Sequence, residues 1–211
     1  MLMQRVKSVL LLLFTMGCVM PLAAQGPAEV WLDKASSLFQ QKGVEIVFRI
    51  NEEGIRIGGK LLMSEDRFLF DTDEMKVWYD GTTQWTLQTD GDYNELYISN
   101  PSPEDQQSVN PYLLLKNYHE GFIPSDGGEK SINGRLLHEV VLSAKDDGQE
   151  LSRLNVYFKD NAELAALHLV FPDDRVYRIE IRSMRNGLTF PKNTFVYSEK
   201  DFPADEVIDM R

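Results

Sequence analysis

The chain has 211 residues, with 22 Lys and Arg against 33 Asp and Glu, a net charge of −11 and 43% hydrophobic residues. This is the composition of one ordinary globular domain, and it excludes disordered, collagenous and disulfide-stapled chains. The negative balance disfavours nucleic acid as a partner, because a phosphate backbone is bound by clustered Lys and Arg.

Residues 1–24 read as a secretory signal. Arg5 and Lys7 precede an apolar run from Val9 to Met20, and Pro21-Leu22-Ala23-Ala24 follows as a small-residue cleavage site. The run is about a dozen residues, short of the ~20 that a membrane-spanning helix needs. Cleavage after Ala24 leaves one domain over 25–211 and removes Cys18, the only cysteine, so neither a disulfide nor a thiol nucleophile remains. Gly17-Cys18 offers a second route, acylation of the cysteine as in bacterial lipoproteins. Such signals usually carry Leu where this chain has Thr15, so conventional cleavage is the expectation.

From Ala28 to Gln41, Trp31, Ala35, Leu38 and Phe39 recur at spacings of three and four, the stripe of an amphipathic helix, with Gly43 as its stop. The period then changes to two. Val44, Ile46, Phe48 and Ile50, then Ile55, Ile57, Gly59, Leu61 and Met63 after Glu53-Gly54, predict a hairpin. Short strands follow near 67–70, 75–79, 85–87 and 96–99, with turns at Asp80-Gly81 and Asp90-Gly91. Ser102-Pro103-Glu104-Asp105 carries a helix start, and Asn110-Pro111 leads into an apolar helical segment, Tyr112 to Tyr118, ending near Gly121. Strands resume at 136–142, 151–158, 164–171 and 176–184, the first after an Asn133-Gly134 turn. Strands and turns at this regular spacing predict one large curved sheet or barrel.

Chemistry is hard to find. His119, His138 and His168 lie in separate elements without a second ligand at metal-binding spacing, so a surface or packed role is expected and no metal or cofactor is implied. No nucleophile elbow is present. The acids Asp71, Asp73 and Glu74, Asp146-Asp147 and Asp173-Asp174 adjoin turns, where Asp serves the backbone. Gly58-Gly59 and Gly127-Gly128 lack the lysine and the strand-to-helix setting of a phosphate loop. What stands out is apolar and aromatic material. A sheet of roughly ten strands curls, and two short helical elements leave room on its concave side for an apolar ligand.

Leu61-Leu62-Met63-Ser64-Glu65-Asp66-Arg67-Phe68, followed by Val77-Trp78-Tyr79-Asp80-Gly81-Thr82-Thr83-Gln84-Trp85, resembles the outer-membrane lipoprotein carrier proteins (LolA-like) of Gram-negative bacteria. Asn110-Pro111-Tyr112-Leu113-Leu114-Leu115 and the ending Val207-Ile208-Asp209-Met210-Arg211 look like a divergent branch of that family, and the likeness spans nearly all of the chain after the signal. The resemblance implies a mainly β, α+β fold: a single strongly curved antiparallel sheet forming an incomplete barrel, its concave side covered by an N-terminal helix and short lid helices. It implies a periplasmic carrier without catalysis, which takes acylated lipoprotein cargo from an inner-membrane lipoprotein-releasing transporter to an outer-membrane acceptor. Family members hold the lid closed with an arginine just after the strand matched by Leu61 to Met63. Here Ser64-Glu65-Asp66 occupies that place and Arg67 follows, the candidate latch.

On this reading Phe48, Met63, Phe68, Trp78, Trp85, Leu96 and Ile98 contribute to the pocket, and Leu113, Leu114 and Tyr118 are lid contacts. Alternation alone leaves open which strand face is concave. A binding protein of the same shape for another apolar ligand, a lipid-modifying enzyme and a structural protein with a filled core remain alternatives, and a monomer is the default.

Overall fold

The computed structural model describes residues 26–39, 43–52, 54–102 and 117–211. The signal segment, the helix expected after Ser102, and the lid residues Leu113 and Leu114 lie outside the described residues.

Helix α1, Pro27–Phe39, begins with Pro in its first turn and has Glu29 near the positive end of its dipole. Its buried residues Ala28, Leu32 and Ala35 stand four and three apart, so one side faces the sheet. Two of the three are alanines, which let the helix lie close to the strands beneath it. Gly43, expected to stop this helix, is instead the first residue of a strand. A Cβ there would press on the ring of Phe190 and the carbonyl of Leu188, so the position serves a close approach of chains.

The strands are β1 Gly43–Glu52, β2 Ile55–Ser64, β3 Arg67–Thr72, β4 Met75–Tyr79, β5 Gln84–Asp90, β6 Tyr93–Ser99, β7 Phe122–Ile132, β8 Arg135–Ala144, β9 Arg153–Phe158, β10 Leu164–Val170, β11 Val176–Leu188 and β12 Glu206–Asp209. Helix α2 is a single turn, Tyr118–Gly121, and a 3₁₀ turn spans Lys192–Phe195. The strands form one sheet in the order β12-β6-β5-β4-β3-β2-β1-β11-β10-β9-β8-β7. Two antiparallel meanders, β1 to β6 and β7 to β11, are joined by the pairing of β1 with β11, and the parallel strand β12 is added beside β6. The edges β7 and β12 do not meet. The result is a strongly curved, unclosed antiparallel sheet, as the family resemblance implies.

Period-two alternation divides the residues between two faces. The concave face carries Val44, Ile46, Phe48, Leu61, Met63, Phe68, Val77 and Tyr79 from one meander and Val140, Leu142, Leu154, Val156, Phe158, Leu164, Leu167 and Ile181 from the other, in one cluster with the buried side of α1. The convex face is covered in its β3 to β6 part by the C-terminal segment. Trp78, Leu87 and Leu96, with Leu69, Trp85 and Ile98, pack there under Tyr197, Phe202 and Ala204. The Trp78 ring meets Tyr197 edge-on at 5.5 Å and Phe202 at 5.1 Å between centroids.

Gly59 lies where β2 passes under Phe48. A Cβ at this position would run into the Phe48 ring and approach Thr72 Cγ2 to 2.9 Å. Replacing Gly59 by Val is expected to destabilise the fold by about 1–3 kcal/mol through overpacking, read as a lowered midpoint in urea. The change should be largely relieved when Phe48→Leu is added.

Candidate functional site

The concave face is closed at one side and open at another. Over β8 and β9, Trp31 of α1 stacks on His138 at 4.3 Å and 16°, and on Phe158 at 5.8 Å and 19°. His138 Nε2 also lies 2.9 Å from Asp126 Oδ1, an ion-pair distance when the ring is protonated. Tyr118 is half-buried against the same cluster. Burial raises its phenol pKa, as do the nearby Asp33 and Glu29 of α1.

Toward the outer ends of β1 to β6 no described residue covers the concave face. A half-open cavity of about 500 Å³ has an apolar floor of Ile50, Ile57, Phe70 and Met75 and a rim containing Glu74, Asp90, Tyr93 and Glu95. This volume is within the ~300–1,000 Å³ of small-ligand sites. Phe70 stacks on Phe48 at 5.3 Å, so the floor continues into the concave core. The lining contains three carboxylates and no Lys, Arg or His. Tyr97 donates a hydrogen bond to Glu95 Oε2 at 2.7 Å and Tyr93 to Glu206 Oε2 at 3.1 Å. Those bonds are the main reason that both phenols titrate above their usual range.

The expected pocket residues separate by strand parity. Phe48, Met63 and Phe68 lie together on the concave face, with exposures of 6%, 4% and 1%, as the packed core behind the cavity. Trp78, Trp85, Leu96 and Ile98 are on the convex face under the C-terminal segment, so the seven do not share one pocket. The register explains the division: Phe68 is paired with Tyr79, and Leu69 with Trp78, which places Phe68 and Trp78 on opposite sides. The open floor is made by Ile50, Ile57, Phe70 and Met75, which the sequence reading did not select. Ile50 and Phe70 continue the alternation of Phe48 and Phe68, and that was the available signal.

Arg67 is likewise corrected as a lid latch. Next to concave-facing Phe68, it must point to the convex side, where its guanidinium lies 5.3 Å from the Phe195 ring centroid and 3.7 Å from Glu65. It fastens the C-terminal segment to the sheet.

The family model for the outer membrane lipoprotein carrier protein LolA matches residues 23–152, more than half of the chain, which therefore belongs to that family. Among solved structures, an uncharacterised conserved protein from Thermus thermophilus has a TM-score of 0.59 at 9% identity, over 87% of this chain and 99% of that one. The MucA/MucB complex of Pseudomonas aeruginosa gives 0.45 at 12%, over 83% of this chain and 62% of that one. A LolA superfamily protein from Nitrosomonas europaea gives 0.42 at 10%, over 82% and 99%. At these identities the first shows a shared fold and nothing further. No match is found among curated proteins. No helix among the described residues is long and apolar enough to cross a membrane. Fold and family together define a lipid- or lipoprotein-binding carrier of the periplasmic LolA type.

Because Arg67 faces away from the cavity, Arg67→Gln is expected to lose about 0.5–1 kcal/mol of stability with its ring contact and ion pair. Uptake of an apolar fluorescent dye by the concave face should be unchanged. A latch would show the reverse, with dye uptake increased.

Proposed function

We propose that the exported chain is a periplasmic, non-catalytic carrier that shields the acyl chains of lipoproteins on its concave face and moves them from the inner to the outer membrane. The observation that carries this reading is the half-open cavity, whose apolar floor runs from Ile57 through Phe70 to the core at Phe48. Burying acyl chain contributes ~0.8 kcal/mol per methylene, so full enclosure of several chains would make release very slow. A floor that is only partly covered holds a chain and still lets it go. Leu113 and Leu114 are the proposed lid contacts together with Tyr118. The cargo is handed on by an inner-membrane lipoprotein-releasing transporter and received by an outer-membrane acceptor, and the carrier works as a monomer.

The test is mass spectrometry of lipid and lipopeptide released from gently purified protein, in the parent, in Ile57→Asp, in Leu114→Asp and in Met210→Asp, which is exposed and outside the cavity lining. Triacylated lipopeptide on the parent and on Met210→Asp, reduced roughly tenfold or more in the other two variants, is the expected result. Free lipid alone, lost in the same variants, would make the chain a binding protein for another lipid. Equal recovery from all four proteins would sink the cavity assignment.

A further inference from the structure

On the convex face, away from the cavity and its C-terminal cover, a second hollow of about 510 Å³ opens between the β1–β2 hairpin and the β7–β8 turn. Its lining mixes apolar Ile55, Ile132 and Ala166 with Arg56, Asn51, Arg178, His168, Asn133 and Glu180. Cross-strand register aligns four of them. Arg56 is paired with Asn51, Asn51 with Arg178, and Arg178 with His168, across β2, β1, β11 and β10. With strands ~4.8 Å apart, the two arginines start about 10 Å from each other, a span from which long side chains can converge on one oxyanion. Neither guanidinium has an ion-pair or hydrogen-bond partner among the described residues. Glu180, the carboxylate in the wall, is already engaged by Arg182 at 2.7 Å and by Asn133 Nδ2 at 2.5 Å.

His168 is held by a chain of buried groups. Its Nδ1 lies 3.2 Å from the Tyr157 hydroxyl. Tyr157 is hydrogen-bonded to Glu139 and, through burial first and that bond second, its pKa is pushed up to about 12. Glu139 is 7% exposed and accepts a 2.8 Å bond from Asn155 Nδ2, with Lys130 Nζ at 3.9 Å. The Tyr157 hydroxyl thus engages Nδ1 of the ring. The Nε2 atom is then the nitrogen left for a ligand. Burial, and then Arg178, hold the His168 pKa below its usual value against the opposing pull of Glu139, so the free ring is neutral near pH 7.

We infer that this hollow binds a phosphate-type oxyanion, its charge held between Arg56 and Arg178 and one oxygen accepting Nε2–H from His168 in its imidazolium form. The charged and titratable groups facing His168 are Arg178 on β11, Glu139 on β8 and Tyr157 on β9. An arriving anion is the one new charge that favours imidazolium, so binding takes up a proton and tightens as pH falls. The phosphate belongs either to a lipid headgroup or to a soluble ester, and the same side chains serve both.

Titration calorimetry of the full exported chain with inorganic phosphate is the first arm, beside Arg178→Gln and Arg211→Gln, the latter at the opposite edge of the sheet. Binding that weakens about tenfold or more in Arg178→Gln and is unchanged in Arg211→Gln is expected. Sulfate, which does not titrate in this range, gives the second arm: its affinity should rise between about pH 8 and about pH 6 in the parent and stay flat in His168→Gln. Flotation with vesicles of equal phosphatidylcholine and phosphatidylglycerol identifies the source. Retention lost in Arg178→Gln assigns a lipid headgroup, and no retention alongside soluble binding assigns a free phosphate ester. Arg178 is exposed, and unchanged melting temperatures would show that the variants fold. An adventitious affinity, equal in all variants or absent throughout, overturns the site.

Discussion

Strand β1 is hydrogen-bonded to β2 on one side and to β11 on the other, which places residues from opposite ends of the chain side by side: Ile46 against Met184, Phe48 against Ile181 and Ile50 against Ile179. Without this pairing each meander would be a separate sheet with one apolar face in water. With it, both apolar faces curl around the same hollow, and one short helix is enough to cover part of it. The cost is that the first and last meanders must find each other across more than a hundred residues, a non-local contact of the kind that slows folding. The hollow, its open end and the convex row of Arg56, Asn51 and Arg178 all depend on this one junction.

Both faces of the sheet are used, and they are used differently. The concave side of the β1 to β6 meander buries Phe48, Met63 and Phe68 as permanent core and leaves Ile50, Ile57, Phe70 and Met75 partly open. The convex side of the same strands is sealed by the C-terminal segment, with Trp78 between Tyr197 and Phe202 and with Arg67 over Phe195. The strands beside the cavity are therefore packed from behind. Across β1, no comparable segment among the described residues covers β8 to β11 on the convex side, where a small apolar cluster of Leu137, Tyr157 and Ala166 with Ile132 lies beside the buried Glu139.

Much of this was legible in the sequence, and the misses have physical causes. Strands with clean alternation, such as Val44 to Ile50 and Ile55 to Met63, and turns with glycine at positive φ, such as Asp80-Gly81 and Asn133-Gly134, were read correctly because local sterics decide them. Strand β7 was missed because Pro124, Asp126, Gly127 and Gly128 look like a loop. It is an edge strand, where proline costs no ladder bond, and Gly127 leaves room for the Glu139 carboxylate while Gly128 takes the bulge. Strand β12 is four residues paired in parallel with β6, a long-range contact without a local signature. The pocket residues divided between the two faces for another reason. Alternation gives two sets of side chains, but what covers each set decides which is concave, and size drew attention to Trp78 and Trp85. The contradiction was nevertheless present: Phe68 in a cavity and its neighbour Arg67 on the lid of that cavity cannot both hold in a period-two strand.

Charge is segregated as sharply as hydrophobicity. Among the described residues the cavity rim carries Glu74, Asp90 and Glu95 without a cation, so an anionic headgroup resting there would meet like charge beside an apolar floor. An acyl chain whose polar end is neutral or cationic meets no such penalty. The guanidiniums of Arg56 and Arg178, without an ion-pair partner among the described residues in a chain of net charge −11, are instead gathered on the convex face, with the sheet between them and the rim. Had Arg56 and Arg178 faced inward, they would have neutralised the rim and offered any anionic lipid a partner beside the apolar floor. Strand parity in β2 and β11, the two neighbours of β1, keeps them out, so the charge of the cavity is set by the same alternation that builds its floor.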